Sequence, residues 1–177
     1  ADNTIVFFFS DHGMGLPRFK RTLYDSGIRV PLIVRFGRKY QGLAPAEPGR
    51  TSDTMVSFVA FAPTVLSLAG LPIPAYMQGK AFAGPGGGMP RQHIVAALSR
   101  VDEVYEFSRC VRDERYKYIR NYLPHLPYIQ PSEFPDRAEI MKELRRAVAE
   151  DGPSTVQSAF WSPTKPVEEL NDTAVDP

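Results

Sequence analysis

Two adjacent side chains near the start of the chain, Asp11 and His12, are of the types that bind metals. A carboxylate supplies a hard oxygen ligand, and a neutral imidazole supplies a nitrogen lone pair. Lys20 follows nine residues after Asp11, and its ammonium group could neutralise an anion held by such a metal. Together the three residues predict a site that binds a negatively charged ligand.

The flanking segments predict how these side chains are positioned. Residues 5–9 are all apolar, which is typical of a strand buried on both faces of a parallel sheet. In open α/β sheets, ligands bind just beyond the carboxyl ends of the strands, where Asp11 and His12 lie. Gly13 then allows a tight turn, and residues 27–34 supply a second apolar strand.

A further charged pair is expected beside the second strand. Arg29 lies near the start of that strand, and Asp25 precedes it by four residues. We expect these two side chains to form a buried ion pair, which is a structural role and not a catalytic one.

Six segments and one lysine, distributed along nearly the whole chain, form a familiar pattern. They are NTIVFFFSDHG at residues 3–13, Lys20, LYDSGIRVPLIV at 23–34, APTVLSLAG at 62–70, MQGK at 77–80, RYKYIRNY at 115–122 and PVEELND at 166–172. This pattern closely resembles the carboxyl-terminal portion of the sulfatase family, within the alkaline-phosphatase superfamily.

The resemblance implies hydrolysis of a sulfate ester, of a small molecule or a carbohydrate, at a divalent cation that is usually calcium. Asp11 and His12 take the positions of two metal ligands, and Lys20 takes that of a lysine that contacts the sulfate. Because calcium prefers oxygen ligands, His12 either binds the metal or donates a hydrogen bond to the ester oxygen of the substrate. Lys20 and His12 are therefore the predicted catalytic residues.

The nucleophile of the family is not found in this sequence. Sulfatases carry it early in the chain, in a Cys-x-Pro-x-Arg or Ser-x-Pro-x-Arg motif that is converted to formylglycine. Cys110 lies in RCVRD instead, and no serine lies in such a motif. We therefore expect this chain to be the carboxyl-terminal portion of a longer sulfatase. Its partner would be the missing amino-terminal part, which carries further metal ligands, and the segment alone would be inactive.

An α/β fold in two parts follows from the resemblance and from the pattern of the chain. Residues 1–82 are expected to belong to the catalytic domain, with a parallel-type sheet flanked by helices, and the glycine-rich residues 83–90 are predicted to be a flexible linker. Residues 91–177 are predicted to form a smaller α+β subdomain with an antiparallel sheet. Predicted strands lie at 51–59, 93–98, 106–111 and 115–122, and predicted helices at 61–69 and 136–150.

A proline-rich loop at residues 123–135 contains His125, Tyr128 and Phe134. A rigid loop with aromatic residues could shape a substrate pocket, and His125 and Tyr128 are the predicted substrate contacts. The alternative is a proline-stiffened loop that packs on the core.

The composition excludes several classes of partner. With 21 basic and 20 acidic residues, the net charge of +1 provides no long-range attraction to nucleic acid or to an anionic membrane. No apolar run approaches the ~20 residues needed to cross a bilayer, so we expect a soluble protein, with a periplasmic or secreted location left open. A single cysteine excludes an internal disulfide.

Two other functions are compatible with the same residues. A phosphodiesterase or phosphonate hydrolase of the same superfamily would use the same ligand geometry on a different tetrahedral anion. An inactive sulfatase-like binding module would keep the fold without the nucleophile.

Overall fold

The computed structural model describes residues 2–175, with Val156 described by its backbone only. These residues form two compact units. The first unit contains the chain up to Phe9 together with Pro31–Ile94, and the second contains Ser10–Val30 together with the chain from Val95 onward. The described strands are β1 (Ile5–Phe9), β2 (Leu32–Phe36), β3 (Ile94–Val101), β4 (Val104–Arg112), β5 (Tyr116–Asn121) and β6 (Glu168–Asp172). The described helices are α1 (Asp25–Ile28), α2 (Phe61–Leu68), α3 (Glu133–Asp136), α4 (Glu139–Asp151) and α5 (Thr155–Trp161).

In the first unit, β1 and β2 form a two-stranded antiparallel sheet in which Phe8 lies opposite Ile33. The prediction of a strand buried on both faces in a parallel sheet is wrong for β1 within the described residues. One face packs on aromatic rings, with Phe9 only 4.9 Å from Phe61 between ring centroids. The other face exposes Phe8 (63%) and Ile33 (60%). The reason is that β1 has one strand neighbour here and is covered from one side only.

The middle of the first unit departs from two other predictions. Residues 51–59 contain no described strand, and a short 3₁₀ turn at Phe58–Ala60 leads directly into α2. The glycine-rich stretch at 83–90 packs against α2 and is not a free linker. The N–H of Gly86 donates to Oγ of Ser67 at 2.8 Å, and Ala83 is buried.

The second unit is built on a four-stranded sheet with the order β3-β4-β5-β6. β4 and β5 pair antiparallel with Cys110 opposite Ile119, and β5 and β6 pair antiparallel with Ile119 opposite Glu169. Lys117, Ile119 and Asn121 alternate on the buried face of β5. The predicted strands of this subdomain are therefore present, and β6 adds a strand that the sequence pattern did not predict.

The helix predicted at residues 136–150 is observed as α4. Met141 is its buried residue, and Gly152, with φ of 74°, ends it in the left-handed conformation that favours glycine. Its exposed face carries ion pairs such as Lys142–Glu139, as expected for a solvated surface. Within residues 2–175, no helix is long and apolar enough to cross a membrane.

Candidate functional site

The segment Ser10–Val30, which carries the predicted site residues, is a compact loop followed by one turn of helix. The N–H of Gly13 donates to the carbonyl of Gly27 at 2.9 Å. A Cβ atom at residue 13 would lie 2.0 Å from the backbone oxygen of Ser26, so this position accepts only glycine. The glycine that follows Asp11 and His12 therefore allows the two ends of the segment to touch.

The structure brings Asp11 and His12 together. Nε2 of His12 lies 3.3 Å from Oδ2 of Asp11, and the two side chains are 39% and 81% exposed. Nδ1 of His12 lies 2.7 Å from the carbonyl oxygen of Gly13. Because a carbonyl can only accept a hydrogen bond, Nδ1 must carry the proton. In the neutral ring, the lone pair of Nε2 then faces a carboxylate oxygen.

Two facing acceptors are stabilised when a positive charge lies between or beside them. The charge can be a proton that converts His12 to the imidazolium, or a metal ion bound by both side chains. The pair thus fits two positions around a cation. It does not complete a calcium site, which takes six to eight oxygen ligands. Among residues 2–175, no cluster of three or more His, Cys, Asp or Glu side chains could hold a metal.

Lys20 lies in an open groove of about 440 Å³ in the second unit. Its Nζ is 5.5 Å from the centroid of the Phe134 ring. Neither Asp11 nor His12 is among the residues that line this groove in the described chain. The structure therefore pairs Asp11 with His12 and places Lys20 beside an aromatic ring. The lining residues are Lys20, Arg21, Asp102, Glu103, Glu133, Phe134 and Arg137.

Asp25 lies at the centre of a buried ion cluster with Arg112 and Lys117, and not with Arg29 as predicted. Nη2 of Arg112 lies 3.0 Å from Asp25, whose side chain is 4% exposed. Lys117 forms an ion pair with Asp25 and donates to the carbonyl of Leu23 at 2.9 Å. Arg29 is exposed. The correction has a geometric reason, because α1 turns Asp25 toward the sheet while Arg29 follows the end of that helix.

The cluster keeps the Asp25 carboxyl ionised. Burial raises the pKa of Asp25, but the hydrogen bonds and positive charges of Arg112 and Lys117 outweigh burial and leave that pKa below its usual value. The segment Ser10–Val30 is thus tied to β4 and β5 by a largely buried charged contact. We call Asp25, Arg112 and Lys117 the buried ion cluster.

The two predicted substrate contacts occupy different surroundings. His125 is exposed. Tyr128 is half-buried between Tyr24 and Phe160, and its hydroxyl donates to Oε1 of Glu169 at 2.6 Å. Burial and the hydrogen bond with Glu169 raise the pKa of Tyr128 and likewise that of Tyr24. Tyr128 therefore packs the loop 123–135 onto the sheet of the second unit.

Sequence reasoning did not find the buried ion cluster, and it named Phe134 only as an aromatic residue of the loop and not as a substrate contact. Asp25 and Lys117 lie far apart in the chain, and no local pattern joins them. The alternation of side chains along β5 predicts two faces but does not show which face is buried. Lys117 is only 1% exposed, whereas Tyr116 is 42% exposed. Phe134 lies in the loop that was predicted to shape a pocket, but the substrate contacts predicted in that loop were His125 and Tyr128.

The chain is similar in sequence to known sulfatases over most of its length. Residues 15–168 match the family described as "N-sulphoglucosamine sulphohydrolase, C-terminal". An ulvan-active sulfatase of Formosa agariphila is 44% identical over 177 residues, which is 99% of this chain and 28% of that protein. An N-acetylglucosamine-6-O-sulfatase of Bacteroides thetaiotaomicron is 37% identical over 82 residues, 44% of this chain and 14% of that protein. The chain therefore spans about a quarter of the ulvan-active relative.

Solved sulfatase structures also resemble this chain. A 2-O GAG sulfatase superposes with a TM-score of 0.56 at 27% identity, covering 68% of this chain and 27% of that one. A second structure, solved in complex with its substrate D-glucosamine-2-N,6-O-disulfate, has a TM-score of 0.56 at 24% identity and covers 84% of this chain and 34% of that one. The latter likeness concerns the fold alone. The predicted resemblance to the sulfatases and the mixed α/β fold are confirmed.

Proposed function

Because this chain belongs to the carboxyl-terminal family of the N-sulphoglucosamine sulphohydrolases, we propose that it is the carboxyl-terminal portion of a sulfatase that hydrolyses carbohydrate sulfate esters. The observation that carries the proposal is the 44% identity to an ulvan-active sulfatase along 99% of this chain. That relative is named for activity on ulvan, and a further relative is named for a sulfate at O6 of the sugar N-acetylglucosamine. A carbohydrate is thus favoured over a small aryl or alkyl sulfate.

In the proposed reaction, this chain places a positive charge next to the sulfate group. The Lys20 ammonium neutralises an oxygen of the sulfate, which stabilises the negative charge that grows there as the ester bond breaks. The nucleophile, a formylglycine in the proposal, lies in the part of the protein outside this chain. Segment Ser10–Val30 therefore provides electrostatic stabilisation and not the covalent step.

A divalent cation, calcium in the proposal, would be held in part by Asp11 and His12. The 3.3 Å separation between Nε2 of His12 and Oδ2 of Asp11 supports this role, because the proton on Nδ1 leaves Nε2 as an acceptor. When bound, the cation would withdraw negative charge from the sulfate oxygens. Further oxygen ligands would come from the amino-terminal part of the enzyme. The alternative role of His12, donation to the ester oxygen, requires the doubly protonated ring.

The test is sulfate release by the purified full-length protein. Ulvan oligosaccharides are the substrate, and a phosphodiester of matched size is the comparison. We expect inorganic sulfate to appear and the phosphodiester to be cleaved far more slowly. Faster cleavage of the phosphodiester would contradict the proposal in favour of phosphoryl chemistry. Absence of both activities, with the protein folded, would indicate an inactive binding module.

A further inference from the structure

The groove beside Lys20 combines an exposed aromatic face with a balanced set of charges. Phe134 is 62% exposed. Two cations lie over its ring, Nζ of Lys20 at 5.5 Å and the guanidinium carbon of Arg21 at 5.3 Å from the centroid. An exposed aromatic ring beside charged groups resembles a binding platform more than a core residue.

The other charged side chains of the groove already have partners within the protein. Arg21 forms an ion pair with Asp102, and Arg137 forms one with Glu133. The carboxylate of Glu103 accepts the backbone N–H of Glu133 at 2.6 Å. Among the described residues, Lys20 forms no ion pair with a carboxylate. It is therefore the groove cation that remains available to an external anion.

The backbone around the groove is held in a conformation that costs free energy. Three non-glycine residues of the described chain have φ between 53° and 73°, namely Arg18, Arg21 and Asp102. Arg21 and Asp102 both line the groove and pair with each other. Left-handed backbone is unfavourable at such residues and is concentrated at ligand sites. The pairing of two such residues across the groove maintains its shape.

We propose that Phe134 is a specificity residue, on which the sugar ring that bears the sulfate packs its apolar C–H face. This inference rests on the proposed function. Lys20 would contact the sulfate and Phe134 the ring attached to it, while carboxylate oxygens of Glu103 and Glu133 lie where hydroxyl groups of the sugar could donate hydrogen bonds. A groove with one unpaired cation and an aromatic wall fits a singly sulfated sugar better than a bare anion.

The test distinguishes recognition of the sugar ring from recognition of the sulfate by using two probes with the full-length enzyme. Hydrolysis of ulvan oligosaccharides gives KM for a sulfated sugar, and competition by inorganic sulfate gives Ki for the anion alone. For Phe134→Ala we expect KM to rise ~tenfold, because a stacked ring contributes about this factor. The Ki of inorganic sulfate should stay within about twofold of wild type, since that probe has no ring.

Matched variants make the result specific. Phe134→Trp keeps an aromatic face and should retain the wild-type KM. Tyr116→Ala removes from β5 an aromatic ring that is 42% exposed and whose centroid lies 5.1 Å from the guanidinium carbon of Arg115, and it should change neither constant. Thermal unfolding of each variant verifies that the fold is intact.

Three outcomes would overturn the inference. An unchanged KM in Phe134→Ala would exclude the ring contact. An equal rise in KM and in the Ki of inorganic sulfate would mean that Phe134 acts only through Lys20. If the wild-type enzyme releases no sulfate from any ulvan oligosaccharide, the proposed function fails and this inference fails with it.

Discussion

Two charged regions of the second unit use the same residue types in opposite ways. In the buried ion cluster, Lys117 is 1% and Asp25 4% exposed, and each charge has a partner. In the segment Ser10–Lys20, Asp11 is 81% exposed, and its neighbour His12 presents an acceptor to it. Asp25 of this cluster lies only five residues after Lys20 in the chain. The difference teaches that complete pairing inside the fold holds the segment in place, while the exposed pair Asp11 and His12 is the part of the segment that we propose to bind a ligand.

The largest expected effect comes from breaking the cluster. Asp25→Asn would leave Lys117 and Arg112 buried without a counter-charge, which should destabilise the sheet of the second unit by roughly 3–5 kcal/mol. Native-state hydrogen exchange of the β4 and β5 amides in the full-length protein measures this locally. Glu139→Gln is the control, because it removes one partner of an exposed ion pair, Lys142–Glu139, and should leave those amides unchanged. Equal protection in wild type and Asp25→Asn would show that the cluster does not anchor the segment.

The second prediction concerns Lys20, which belongs to the segment Ser10–Val30 but not to the buried ion cluster. Lys20→Ala should lower kcat for sulfate release by roughly 10²–10³-fold, because one charged contact to the sulfate is lost in the transition state. Protection of the β4 and β5 amides should not change. Lys39→Ala removes a lysine that also lies over an aromatic ring, 5.7 Å from the centroid of Tyr40, and should leave kcat at the wild-type value. Unchanged turnover in Lys20→Ala would remove Lys20 from the proposed site.

The third prediction concerns the metal. Asp11→Asn should weaken calcium binding by the full-length protein by roughly tenfold or more, because a charged oxygen ligand becomes neutral. Isothermal titration with calcium measures the affinity without any substrate present. Asp53→Asn, at an exposed carboxylate of the first unit, is the matched control. Equal calcium affinity in Asp11→Asn and wild type would leave Asp11 and His12 as a simple ion pair.

The smallest expected effect is a pH dependence of the stability that the buried ion cluster provides. The pKa of Asp25 is lowered in the folded protein, so the folded state binds fewer protons than the unfolded state between that pKa and the usual value of about 3.9. The stability from Asp25 is therefore present above about pH 4 and is lost as the pH falls through the folded pKa. The difference in amide protection between wild type and Asp25→Asn should shrink below about pH 4. A difference that stays constant down to lower pH would mean that the charge of Asp25 is not responsible.

Local patterns made several elements predictable. Helix α2 and strands β3, β4 and β5 lie within a few residues of their predicted positions, because each has an apolar or alternating pattern of its own. Helix α5 was missed, although its sequence carries a capping box in which Ser154 and Gln157 satisfy each other's backbone N–H groups. Strand β6 was missed because its residues are mostly polar, and its register depends on pairing with β5.

The sequence by itself determined the family, the candidate residues Asp11, His12 and Lys20, and the need for glycine at position 13. Those conclusions depend on residue types and short spacings, which are properties of the chain. Only the tertiary structure decided that Asp25 pairs with Lys117 and Arg112, and that Phe134 stands beside Lys20. Contacts between residues so distant in the chain depend on how α1 and the sheet pack, and no local pattern encodes that arrangement.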